Sequence, residues 1–216
     1  MNIEAGADRL LIKLVYYGPA LSGKTTNLQR LHDLVNPAQR GEMMMLNTRN
    51  DRTLFFDLLP LGVRLATGLF IKLKVFTVPG QAQHDGTRKA LLADADGVIF
   101  VADSQRAQAA NNTASFENLR ANLARLGRPL EQLPLAVQFN KRDLADVEPL
   151  SELQARWHGT PWAPVVPACA LHGEGVKETF DLLVERVFTL LDARHGLGPR
   201  HGLTAQDLLS LLGCPR

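Results

Sequence analysis

Residues Gly18-Pro19-Ala20-Leu21-Ser22-Gly23-Lys24-Thr25 follow G-x-x-x-x-G-K-[ST], and this octet constrains the fold more than anything else in the chain. An apolar run, Leu10–Tyr17, precedes it. A stretch with helical spacing, Thr25–Val35, follows it, with Leu28, Leu31 and Leu34/Val35 on one face. A strand, a tight loop and a helix in that order make a cradle for polyphosphate. Loop N–H groups turn inward, and the helix offers its positive end. Gly18, Ala20, Leu21, Ser22, Gly23, Lys24, Thr25 and Thr26 are therefore the candidate phosphate-binding residues. Lys24 places an ammonium on the outer phosphates. The Thr25 hydroxyl is a hard oxygen suited to Mg²⁺.

The rest of the chain continues the alternation. Thr53–Leu59 and Leu69–Val78 read as a strand pair. Gly97–Ala102 and Leu135–Phe139 read as buried strands, and Pro164–Ala170 as a weaker one because of its prolines. Phe116, Leu119, Leu123 and Leu126 share a helical face. Val176–Arg194 is the clearest helix, with apolar residues from Val176 to Leu191 in one stripe. The pattern predicts an α/β fold, a doubly wound and mostly parallel sheet with helices on both faces.

A domain over residues 1–195 is expected, followed by a tail over 196–216. The stretch His195–Gly202 holds three glycines and a proline and reads as a linker. Thr204 then caps a short leucine-rich helix, with Asp207 three residues on. That helix either docks on its own domain or meets a partner or membrane surface.

Composition narrows the setting. Lys+Arg exceed Asp+Glu by 24 − 22 = +2 in 216 residues, too little to argue for nucleic acid or an anionic membrane. Two cysteines, Cys169 and Cys214, make no disulfide framework. No secretory leader, membrane span, prenylation or myristoylation signal is read, so a cytoplasmic protein is expected. His158, His172, His195 and His201 show no metal spacing. Trp157 and Trp162 read as packing residues, and Cys169 as a small buried filler. His84 reads as a solvated residue. Met43–Met45 suits either an adaptable interface or a core or strand-edge role.

The base is chosen by Asn140-Lys141-Arg142-Asp143, which follows a strand. A carboxylate only accepts hydrogen bonds, and guanine offers two adjacent donors where adenine has none. Asp143 thus selects guanine. Asn140 can bridge base and loop, and the stem of Lys141 can cover the base.

Together, the phosphate loop, Thr77–Gln81 (TVPGQ), the NKRD box and Ala168–Leu171 (ACAL) resemble the Ras-like small GTPases in order and spacing. Tyr16–Leu28 and Gly41–Pro60 resemble the bacterial MglA subfamily more closely. The resemblance, over about Leu10 to Arg194, implies a GTP/GDP switch with Mg²⁺ that sets cell polarity and drives gliding or type IV pilus motility. It implies recruitment to a cell pole, downstream effectors, and a Roadblock-type, MglB-like partner that stimulates hydrolysis.

By the same resemblance, Gln81 orients the attacking water and Gly80 donates its N–H to the γ-phosphate. Thr53 joins Thr25 as a metal ligand. Arg52 acts as an arginine finger in cis, the alternative being a loop residue paired with Asp51. Cys169, Ala170 and Leu171 line the base.

Two departures stand out. Thr77 replaces the usual Asp near the metal, a change MglA-like proteins share, and Asp57 or Asp51 could substitute. Ala20 replaces a glycine beside Gln81, and crowding there implies slow hydrolysis. The rival readings are a nucleotide-holding adaptor that barely hydrolyses and a P-loop kinase or ATPase, which the NKRD box opposes.

Overall fold

The apolar runs Leu10–Tyr17 and Gly97–Ala102 become two adjacent parallel strands, β1 (Arg9–Tyr17) and β5 (Gly97–Asp103), at the centre of one sheet. The computed structural model describes residues 9–47, 55–79 and 85–213. The other strands are β2 (Met44–Asn47), β3 (Phe55–Arg64), β4 (Phe70–Thr77), β6 (Leu135–Asn140) and β7 (Val166–Pro167). Their order is β2-β3-β4-β1-β5-β6-β7. Only β2–β3 and β3–β4 pair antiparallel; the other neighbours are parallel.

Alternation along β1 divides the core into two faces. Leu14 and Tyr16 point to one face and meet Leu28 and Leu31 of α1 (Lys24–Leu34), with Phe180, Leu183 and Val187 of α5 (Val176–His195). Val15 and Tyr17 point to the other. There they meet Leu92 of α2 (Asp85–Leu92), Leu119 and Leu123 of α3 (Ala109–Arg125), and Leu153 of α4 (Leu150–Trp157). Phe116, Trp157 and Trp162 stack edge to face on that second side, with centroids 5.4–5.9 Å apart.

Several boundaries move. β3 runs to Arg64, through Pro60 and Gly62, instead of stopping at Leu59. β2 pairs with β3 only as far as Leu58, so the missing Pro60 N–H breaks no ladder on that side. The expected strand Pro164–Ala170 is reduced to Val166–Pro167. Within His195–Gly202, Leu197–His201 forms a helical turn, α6, rather than a plain linker.

The tail folds back onto the sheet. In α7 (Ala205–Leu212), Thr204 and Asp207 form a reciprocal capping box. Leu208, Leu209 and Leu212 enter the core that α1 and α5 share, while Leu211 stays 37% exposed. The Asn36 N–H donates to Leu212 O at 2.9 Å, and Thr67, at the β3–β4 turn, lies 3.0 Å from His201 Nδ1.

Candidate functional site

The loop after β1, the ends of β4 and β6, and the turn after β7 gather at the carboxyl edge of the sheet, where open α/β sheets bind ligands. Gly18 must be glycine here. Its φ is 147°, and an added Cβ would sit 2.2 Å from Val101 O. Gly23 has φ 97°, and its Cβ would meet Asn140 Nδ2 at 2.3 Å. No side chain caps α1, so the first-turn amides remain available to an anion. Ala20 and Leu21 ride on the outside of the loop, Leu21 87% exposed with φ 63°. Ser22 is buried, and Thr26 is half-buried in the first turn of α1.

The Lys24 ammonium folds under the loop and donates to Gly18 O at 3.0 Å and Pro19 O at 2.6 Å. Burial, reinforced by the charge of Arg88, pushes its pKa down to about 8. Arg88 is itself buried on α2. It reaches Pro79 O at 3.5 Å and the Asp85 carboxylate at 3.3 Å.

Asp57 is the main residue that sequence reasoning could not place. From β3 its Oδ2 accepts the Thr25 hydroxyl at 2.7 Å and the Thr77 hydroxyl at 2.9 Å, and its own N–H donates to Thr77 Oγ1 at 3.0 Å. Two hydroxyls around one carboxylate form a compact set of hard oxygens, the donor type that Mg²⁺ takes. The only sequence signal was a charged residue inside an apolar run.

On the base side, Asn140 joins two loops. Its Nδ2 donates to Ser22 O and its Oδ1 accepts the Ala170 N–H, both at 2.8 Å. Lys141 adopts φ 67° and pairs with the buried Asp103 at 2.7 Å, which fixes its stem across the edge of the site. Asp143 is exposed and accepts the Cys169 thiol at 3.0 Å. That hydrogen bond holds the Asp143 carboxyl below its usual range, while burial and Asp143 itself push the thiol up. Cys169 is therefore more than a filler. Leu171 O accepts both Nε and Nη2 of Arg30, at 3.2 and 2.8 Å, which ties the turn to α1.

The structure thus brings together residues 18–26, Asn140, Lys141, Asp143 and 169–171. Arg52, Thr53, Gly80, Gln81 and His84 lie outside the described residues, as do Asp51 and Cys214.

Comparison with known proteins identifies the family. The ADP-ribosylation factor (Arf) family model matches residues 63–187. The mutual gliding-motility protein MglA of Myxococcus xanthus is 42% identical over 189 residues, covering 88% of this chain and 96% of that protein. ADP-ribosylation factor-like protein 4C of human and of mouse is 27% identical over 185 residues, covering 82% of this chain and 86% of each. This degree of identity over most of the chain, with the family model over residues 63–187, places the chain, as a GTPase, among the MglA-like members of the Ras-like small GTPases.

Proposed function

We propose that the chain is a Mg²⁺-dependent switch that cycles between GTP and GDP forms and regulates cell polarity and gliding or type IV pilus motility. The Asn140 side chain carries this reading. It hydrogen-bonds Ser22 O and Ala170 N at once, so the phosphate loop and the base turn are held in one frame. A nucleotide bound there spans both.

Lys24 exchanges its carbonyl partners for the β- and γ-phosphate oxygens, and the amides of 20–26 cover the rest. Asp143 accepts from guanine N1–H and the 2-amino group, and Ala170 and its neighbours face the base. Thr25, with Thr53, would hold Mg²⁺, and Asp57 would orient that shell in place of the missing carboxylate at Thr77. The cation's part is to neutralise charge on the phosphate oxygens. Gln81 orients the attacking water, and Arg52 spreads charge as the γ-phosphoryl leaves.

Switching follows from the same geometry. Along the sequence, Thr77 and Pro79 precede Gly80 and Gln81, and Asp57 follows Thr53. Loss of the γ-phosphate frees both segments and changes what a partner meets. A Roadblock-type activator and separate effectors are the partners this reading calls for. Among the described residues no helix is long and apolar enough to cross a membrane. Recruitment to a cell pole through such partners is part of this reading.

The test is phosphate release from GTP by the full chain, with and without a Roadblock-type partner. The reading expects slow release that the partner accelerates. Tight GTP binding with no release under either condition would leave only a nucleotide-holding adaptor.

A further inference from the structure

The turn after β7 holds a second arrangement that nucleotide binding does not account for. Cys169 and His172 are three residues apart, and the chain reverses between them. The His172 N–H donates to Cys169 O at 3.0 Å, and the Cys169 N–H to Glu174 O at 3.0 Å. Gly173, with φ 84°, completes the reversal. Asp143 arrives from the loop after β6. One carboxylate oxygen, the thiol sulfur and one imidazole nitrogen lie within 4.8 Å of one another. The linear sequence hides this, because histidines alone show no metal spacing and Asp143 is 26 residues from Cys169.

We propose that Asp143, Cys169 and His172 form a site for a borderline-soft divalent cation of the zinc class, and that the cation and a guanine base exclude each other there. A thiolate, an imidazole and a carboxylate are the ligand types zinc prefers, and three protein ligands plus water complete a tetrahedron. Metal–ligand bonds of about 2.0–2.3 Å put ligand atoms about 3.5 Å apart. The Asp143–Cys169 pair is already at 3.0 Å, so side-chain rotations of about an ångström suffice. Asp143 and His172 are exposed and can make them, and Cys169 is fixed by the turn. The balance is simple. The thiol proton now shared with Asp143 goes to solvent, the sulfur electron pair goes to the metal, and nothing is oxidised.

Exclusion follows from the double use of Asp143. Its carboxylate cannot bind the metal and present both oxygens to guanine. The exclusion rests on the guanine reading of Asp143, whereas the metal site itself does not. The consequence is a brake on reloading: a cation seated at this turn keeps guanine nucleotide out while leaving the phosphate loop untouched.

The test uses the full chain, in excess Mg²⁺ so that harder sites are filled, with zinc chloride as the probe. Zinc bound to nucleotide-free chain is read with a chromophoric zinc indicator. In parallel, zinc-driven release of a fluorescent GDP analogue from loaded chain needs no nucleotide-free protein. About one zinc per chain is expected. His172→Ala should weaken it about tenfold or more while GDP binding is kept, and Cys169→Ser should also weaken it. Excess GDP should expel the metal. Absent zinc binding, or zinc binding indifferent to His172→Ala, would overturn the site and leave the guanine reading intact. Zinc that depends on His172 yet stays bound under saturating GDP would overturn the exclusion, and with it the guanine role of Asp143.

Discussion

The Thr25 hydroxyl donates to Asp57 Oδ2 at 2.7 Å, which ties the first turn of the phosphate-binding helix to a strand leading out of the segment that holds Thr53. In the proposed function, Asp57 supplies from β3 the carboxylate that Thr77 lacks. Asp57→Ala should leave the chain folded but raise the Mg²⁺ needed to slow GDP release, by about tenfold to a hundredfold. A Mg²⁺ titration of fluorescent GDP dissociation reads this directly. An unchanged midpoint would remove Asp57 from the metal shell.

Lys24 makes binding pH-dependent. Its pKa of about 8 reflects burial and the nearby charge of Arg88, and a bound polyphosphate would raise it again. Nucleotide binding at pH 9 should therefore take up close to one proton, falling towards zero below pH 7. Calorimetry in buffers of different ionisation enthalpy measures that number. For stability the sign is the reverse of a favourable pairing. The nucleotide-free chain carries the full cost of the buried ammonium below pH 8, and that cost is relieved as pH rises towards the ordinary value of 10.5. Proton release on binding, or none at pH 9, would contradict this account of Lys24.

The tail is part of the core. Leu212 is 0% exposed and packs with the residues that α1 and α5 share, whereas its neighbour Leu211 is 37% exposed. Leu212→Ala should cost about 2–5 kcal/mol in urea unfolding. Leu211→Ala should cost about 1 kcal/mol or less. Equal costs would mean that α7 is not held as described.

Ala20 sits on the exposed side of the loop, at the position where the resemblance to Ras-like GTPases leads one to expect glycine. Ala20→Gly should raise single-turnover GTP hydrolysis, by about tenfold to a hundredfold if the methyl displaces Gln81 by about an ångström. Equal rates would show that the methyl group crowds nothing.

How much of this the sequence disclosed depends on distance along the chain. β1, β5, β6 and α5 were legible because their apolar runs or stripes are local and long. α2 and α4, eight residues each, are too short to repeat an apolar stripe over several turns and were not read. β3 was cut short because Pro60 and Gly62 signal a break, which the sheet tolerates where β2 has ended. The phosphate loop and the base box were legible because each is one short contiguous motif. Asp57 meeting Thr25, Asn140 meeting Ser22, and Asp143 meeting Cys169 and His172 are contacts across the fold, separated by 26 or more residues in the hydrogen-bonded pairs. No local pattern encodes them.

In the proposed function one carboxylate, Asp143, selects guanine for a nucleotide held by Lys24 and the loop. Calorimetric titration of the Mg²⁺-supplied chain with GDP and with ADP tests it most directly, with Asp143→Asn as the paired variant. Strong preference for GDP is expected in the parent chain, and loss of about 1–3 kcal/mol of GDP affinity in the variant, with ADP unchanged. Equal binding of GDP and ADP by the parent chain would contradict it.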